Sequence, residues 1–206
     1  MIVYACNVKL SWRLSFRNVA LCVLIALVCI GAFMLVQFAF IDMFTKWGLQ
    51  GRSPDVKIDT WSKYATGVLQ WCVLPAVLEE VIFRLGIFYG LVLLFRHFGV
   101  KHGDWLAVLL SSIAFAIYHW NWAQLVYQFI LGAIFATAFL KTRNFLYPVL
   151  LHFINNFFVV TYTFIAGGGD LMYTWSSGYT VITAIVLAGL GGAIIVSLLW
   201  SLNERR

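Results

Sequence analysis

The chain has 206 residues, 63% of them hydrophobic and only 11% charged, with a formal net charge of +6. A soluble domain carries roughly 25% charged residues, so this composition excludes an ordinary soluble globular protein and predicts an integral membrane protein. The basic residues sit in short stretches between apolar runs and read as a topology signal, and no nucleic-acid partner is expected.

The N-terminal stretch places Lys9, Arg13 and Arg17 ahead of an apolar run over 19–41. That run exceeds the roughly 7–15 residues of a signal-peptide core and predicts an uncleaved first span. A span needs about 20 apolar residues, and further runs follow over 65–95, 105–120, 123–140, 146–165 and 179–201. The run over 65–95 is overlong and contains Pro75. It reads either as one tilted, kinked helix or as a short interfacial segment followed by a span. The third and fourth runs are parted only by the turn Trp120-Asn121-Trp122. The expected fold class is all-α, a polytopic transmembrane bundle of about six spans forming a single domain over 1–206, with a catalytic cavity between helices.

With the N-terminus inside, Arg96, Lys101, Lys141, Arg143, Arg205 and Arg206 join Lys9, Arg13 and Arg17 on the inner face. Lys46, Arg52, Lys57 and Lys63 share one outer loop with Asp42, Asp55 and Asp59. The bias predicts both termini cytoplasmic, and the expected location is a bacterial plasma membrane. Cys6, Cys22, Cys29 and Cys72 show neither metal nor disulfide spacing, and Cys22 and Cys29, seven apart on one helix face, read as small buried hydrophobes.

Removing loop residues leaves a short set of ionisable groups inside the spans: Glu79, Glu80, Arg84, His119 and His152. A charge at a helix centre costs roughly 2.5–3.5 kcal/mol on an insertion scale, and such residues usually face the bundle interior and mark function. Glu80 and Arg84 are i,i+4 and stack on one helix face. Glu79 is rotated by about 100°, which leaves it free to face a cavity. Pro75, one turn before Glu79, has no amide hydrogen to give the Trp71 carbonyl, which loosens the helix beside the charges.

Two further clusters follow. Phe115 and His119 lie one helical turn apart, and His152 and Asn156 share a helix face, with Asn155 beside them and Pro148 in the first turn of their helix. Asn155 reads as interhelical glue. A free carboxylate, two imidazoles and an amide make a hydrolytic set: a carboxylate near a histidine takes a proton from water, and imidazole and amide donors stabilise an oxyanion. Spacing alone leaves a zinc site of Glu79, His119 and His152 open as the alternative. There is no HExxH, and asparagine is a poor ligand, so no metal or cofactor is expected.

The pattern Glu79-Glu80-x-x-x-Arg84, Phe115-x-x-x-His119, His152-x-x-x-Asn156 resembles the CPBP family, the CAAX prenyl endopeptidases and bacteriocin-processing enzymes also called Abi proteins. The resemblance covers a core of about 66–160. Leu85 precedes Gly86 where many members have glycine directly after the arginine. The resemblance implies an intramembrane endopeptidase acting on a membrane-anchored protein or peptide. Glu79 would be the base on a water, assisted by His119; His152 and Asn156 would form the oxyanion site, and Glu80 with Arg84 the supporting pair. It leaves the oligomeric state open.

Two readings compete with an endopeptidase: a non-proteolytic immunity or scaffold protein of the same fold, and an ion-coupled transporter. Gly167–Asp170 fits the GxGD pattern of aspartyl intramembrane proteases but reads as a turn in an outer loop. One expectation is internally discordant. At about 1.5 Å per residue from the inner helix ends, Glu79 and His119 stand near 22–24 Å and His152 near 12 Å, so either the helices carrying one site are offset or the run boundaries are misplaced.

Overall fold

In the computed structural model, residues 10–30, 47–48, 58–165 and 191–202 are described, and all regular structure among them is helical. α1 is Phe16–Ile30. α2 runs without a break over 61–97, its backbone helical through each internal junction. α3 is Gly103–Tyr118, α4 is Leu125–Thr142 and α5 is Leu146–Ile165. α6 is Gly191–Ser201. A 3-10 turn at Trp122–Gln124 joins α3 to α4. α4 and α5 are each long and apolar enough to cross a membrane. Gly167–Asp170, Cys6 and the outer-loop charges up to Lys57 lie outside the described residues.

The long apolar run is therefore one helix, and it is not uniform. Two π-helical stretches, Val68–Val73 and Val81–Phe88, flank the α-helical Leu74–Glu80. Pro75 sits just after the first. A proline ring clashes with the carbonyl four residues back in a tight α-turn, and the wider π-turn upstream relieves that crowding. The helix starts on Thr60, whose Oγ1 accepts the Lys63 amide at 3.3 Å. It stops at Gly99, which takes the left-handed conformation with φ +63°. The Val100 amide bonds the Phe95 carbonyl and the Gly99 amide bonds Arg96, the two bonds of a Schellman cap.

α3 and α4 pack closely against one another. Small residues permit it: a Cβ on Gly132 would stand 3.1 Å from the Ser112 Cα and 3.2 Å from the Phe115 ring. α5 packs antiparallel to α2, with bonds from Tyr64 to Thr161, Asn156 to Trp71 and His152 to Glu80 in order along the pair. These contacts resolve the discordance in depth. Glu80 meets His152 early in α5 while α2 continues to His97, so α2 overhangs the start of α5 and packs there against α3, where Phe95 abuts Gly103.

Beneath that end, residues 10–15 are laced to the α4–α5 turn. The Ser11 amide donates to the Arg143 carbonyl, Asn144 Nδ2 to the Arg13 carbonyl at 2.9 Å, and the Ser15 amide to the Tyr147 hydroxyl at 2.8 Å. Phe83, Phe115, Leu131, Phe135 and Leu151 build the core that backs the polar residues of α2. Cys22, Cys29 and Cys72 are buried and unpaired with one another.

Candidate active site

Glu79 and Glu80 end the α-helical middle of α2, and Arg84 lies in the π-turn that follows. Glu80 and Arg84 are fully buried, and their ion pair measures 2.7 Å between Nε and Oε2. The guanidinium lies between two aromatic faces, 5.1 Å from the Phe115 ring centroid and 5.7 Å from that of Phe135. Those contacts favour the cation where the protein offers Nη1 no hydrogen-bond acceptor.

Glu80 has a second partner. His152 Nδ1 lies 3.0 Å from Glu80 Oε1, and the imidazole is stacked on Phe135 at 5.2 Å. The far nitrogen, Nε2, points to the other carboxylate, 3.9 Å from Glu79 Oε2. His119 approaches the same oxygen, with Nε2 at 3.8 Å. Its Nδ1 lies 2.8 Å from the Phe115 carbonyl. A carbonyl only accepts, so Nδ1 carries a proton, and in the neutral form of the ring Nε2 shows Glu79 a lone pair.

The three helices thus converge on Glu79 Oε2, a buried oxygen with no hydrogen-bond partner. Separations of 3.8 and 3.9 Å are too long for direct hydrogen bonds. Separations of this length are of the kind a bridging water spans. The same separations fit a metal less well, since ligand atoms of a tetrahedral zinc site stand only about 3.4 Å apart for bonds near 2.1 Å. Among the described residues no group of three His, Cys, Asp or Glu is arranged to hold a metal ion.

Asn156 lies further along the α2–α5 seam. Its Nδ2 donates to the Trp71 carbonyl at 3.0 Å, the carbonyl that Pro75 cannot serve. Asn155 Nδ2 donates to Asn156 Oδ1 at 3.2 Å, and the Tyr127 hydroxyl on α4 donates to Asn155 Oδ1 at 2.6 Å. Asn155 therefore makes the interhelical bond expected of it. Trp71, Tyr127, Asn155 and Asn156, with Gln124 and Gln128, line a polar cavity of about 180 Å³. An apolar groove of about 240 Å³ lies between the same two helices, walled by Val73, Val77, Leu150 and Phe153.

The structure brings Glu79, Glu80, Arg84, His119 and His152 into one cluster, and ties Asn156 to the α2 backbone beside it. Sequence reasoning missed Phe135, which orders the arginine and one imidazole, and Tyr127, which anchors the asparagine pair. Tyr127, Leu131 and Phe135 recur every four residues on α4, but that stripe reads as ordinary core packing until its neighbours are known.

Residues 61–158 match the family model described as type II CAAX prenyl endopeptidase, Rce1-like. The matched segment contains all of the cluster and Asn156. No curated protein and no solved structure matches the chain.

Proposed function

The chain belongs to the CPBP family through its Rce1-like segment 61–158, and from that premise we propose that it is an intramembrane endopeptidase in which Glu79 activates water. The observation that carries this reading is the convergence of His119 Nε2 and His152 Nε2 on one unbonded oxygen of Glu79, at 3.8 and 3.9 Å. Glu80, though adjacent, is occupied by Arg84 and His152. One carboxylate is left to react, and the other holds the frame.

The reaction follows from those contacts. A water held between Glu79 and His119 gives its proton to Glu79 as its oxygen adds to the substrate carbonyl. The carbonyl becomes an oxyanion. His152 Nε2, wherever it carries a proton, is a donor within reach of that oxyanion. Asn156 Nδ2 has a second hydrogen for the same use. Collapse breaks the C–N bond, and Glu79 returns the proton to the leaving amine.

The substrate in this reading is a membrane-associated protein or peptide: a prenylated CAAX tail, a bacteriocin leader or the anchor of a membrane-sorted protein. The surrounding architecture is a bundle of about six spans with both termini cytoplasmic, in a bacterial plasma membrane. Support comes from two helices of spanning length and apolarity and from the positive bias of the inner loops. The test is cleavage of these three peptide classes by purified protein in proteoliposomes, with the Glu79→Gln variant in parallel. Cleavage by wild type alone supports the reading; equal cleavage by both proteins removes it.

A further inference from the structure

We infer that Tyr127 and Pro75 are positioning residues for Asn156, setting its side-chain amide with the nitrogen toward Trp71 and the polar cavity. The argument is one of hydrogen-bond direction. The Trp71 carbonyl can only accept, and the residue four places on, Pro75, has no N–H to give it. The Asn156 atom 3.0 Å from that carbonyl must therefore be the nitrogen. Its oxygen then faces Asn155, which must present its own nitrogen, at 3.2 Å. The Asn155 oxygen is left toward Tyr127, whose hydroxyl must donate, at 2.6 Å.

Every link has one allowed direction, set by the Trp71 carbonyl, which only accepts, and met at the far end by the Tyr127 hydroxyl, which donates. Without such a chain a carboxamide has two nearly isosteric orientations, one offering a donor and the other an acceptor. Tyr127 and Asn155 are buried, so a rotated amide would leave polar groups unpaired. Asn156 donates one Nδ2 hydrogen to Trp71, and the second has no acceptor among the described residues. It is the one left for a ligand in the cavity that Asn156 lines.

The kinetic consequence rests on the endopeptidase reading, and the experiment separates the two. Tyr127→Phe keeps the ring and removes the donor. Pro75→Ala restores an N–H that competes for the Trp71 carbonyl. In protein labelled with 15N-asparagine, the side-chain amide signals of Asn155 and Asn156 shift or broaden in both variants. Unchanged signals overturn the inference whether or not any peptide is cleaved. If wild type cleaves no peptide while the signals move, the endopeptidase reading fails and the positioning role stands.

With a cleaved peptide, kcat falls by about 100-fold in each variant, the cost of a misplaced group, with KM little changed. Wild-type kcat in either variant overturns the inference. Stability guards against a merely structural effect. Proline is the poorest residue in a helix interior, so Pro75→Ala leaves the unfolding temperature unchanged or raised while activity drops. An activity loss that tracks a lowered unfolding temperature in both variants overturns the inference.

Discussion

Glu80 Oε1 lies 3.0 Å from His152 Nδ1, and this contact makes the buried carboxylate an orienting group for α5 as well as the counter-ion of Arg84. When Glu80 is ionised it accepts from Nδ1–H, and His152 Nε2 is turned toward Glu79. Two adjacent carboxylates thereby reach the same imidazole from opposite sides. They differ in that Glu80 is fully enclosed while Glu79 is 15% exposed and lies between His119 and His152.

Glu79→Gln is expected to lower peptide cleavage by about 10²- to 10⁴-fold, the usual contribution of a general base, with the fold intact. Circular dichroism and the thermal midpoint in detergent check the fold, and initial rates check the activity. A variant as active as wild type would show that Glu79 is not the base.

Glu80→Gln is expected to fail differently, because it strands a buried guanidinium. Removing one partner of a buried ion pair costs about 3–5 kcal/mol, so the thermal midpoint should fall before any effect on chemistry is measured. Adding Arg84→Met should restore much of the loss, since an apolar replacement of the whole pair is often neutral. A double variant no more stable than Glu80→Gln alone would contradict the pairing.

Gly132→Ala tests the seam between α3 and α4. The new methyl would meet the Ser112 backbone at 3.1 Å and the Phe115 ring at 3.2 Å, an overpacking that typically costs about 1–3 kcal/mol. Phe115 also bonds His119 and lies under Arg84, so cleavage should fall along with stability. Stability and activity both at wild-type levels would show that the helices are not in such close contact.

Chelation bears on the zinc alternative. The ligand atoms stand wider than a tetrahedral site requires, so phenanthroline or EDTA should leave cleavage unchanged, and elemental analysis of active protein should find no stoichiometric zinc. Activity lost to chelator and restored by zinc would replace Glu79 as sole water activator with a metal.

The α3–α4 hairpin gives a topology test. Cysteines placed at Trp122 and Arg143 in a Cys6→Ser background should react with an impermeant maleimide from opposite sides of sealed vesicles. Cys22, Cys29 and Cys72 are buried and should stay silent. Labelling of both sites from one side would contradict the orientation drawn from the basic residues.

Much of the site is legible in the sequence because charge in an apolar run is costly and therefore sparse. Five ionisable groups remain after the loops are removed, and helical periodicity alone pairs Glu80 with Arg84. The proline that frees the Trp71 carbonyl is legible for the same local reason. What fills that carbonyl's vacant bond is not, since Asn156 is far away in sequence and arrives only when α5 packs on α2.

The sequence by itself determined the helical, apolar character of the described residues, the positions of the helices between 61 and 165 and the short list of ionisable side chains within them. Each of these depends on composition or on residues within one or two turns. Only the tertiary structure decided that 61–97 is one helix with two π-turns, and that α2 overhangs α5. It also decided that Glu80, not Glu79, takes the close contact with His152. Those outcomes depend on how helices are offset and rotated against one another, which is set by packing at Gly132, Phe115 and Phe135 rather than by any local spacing.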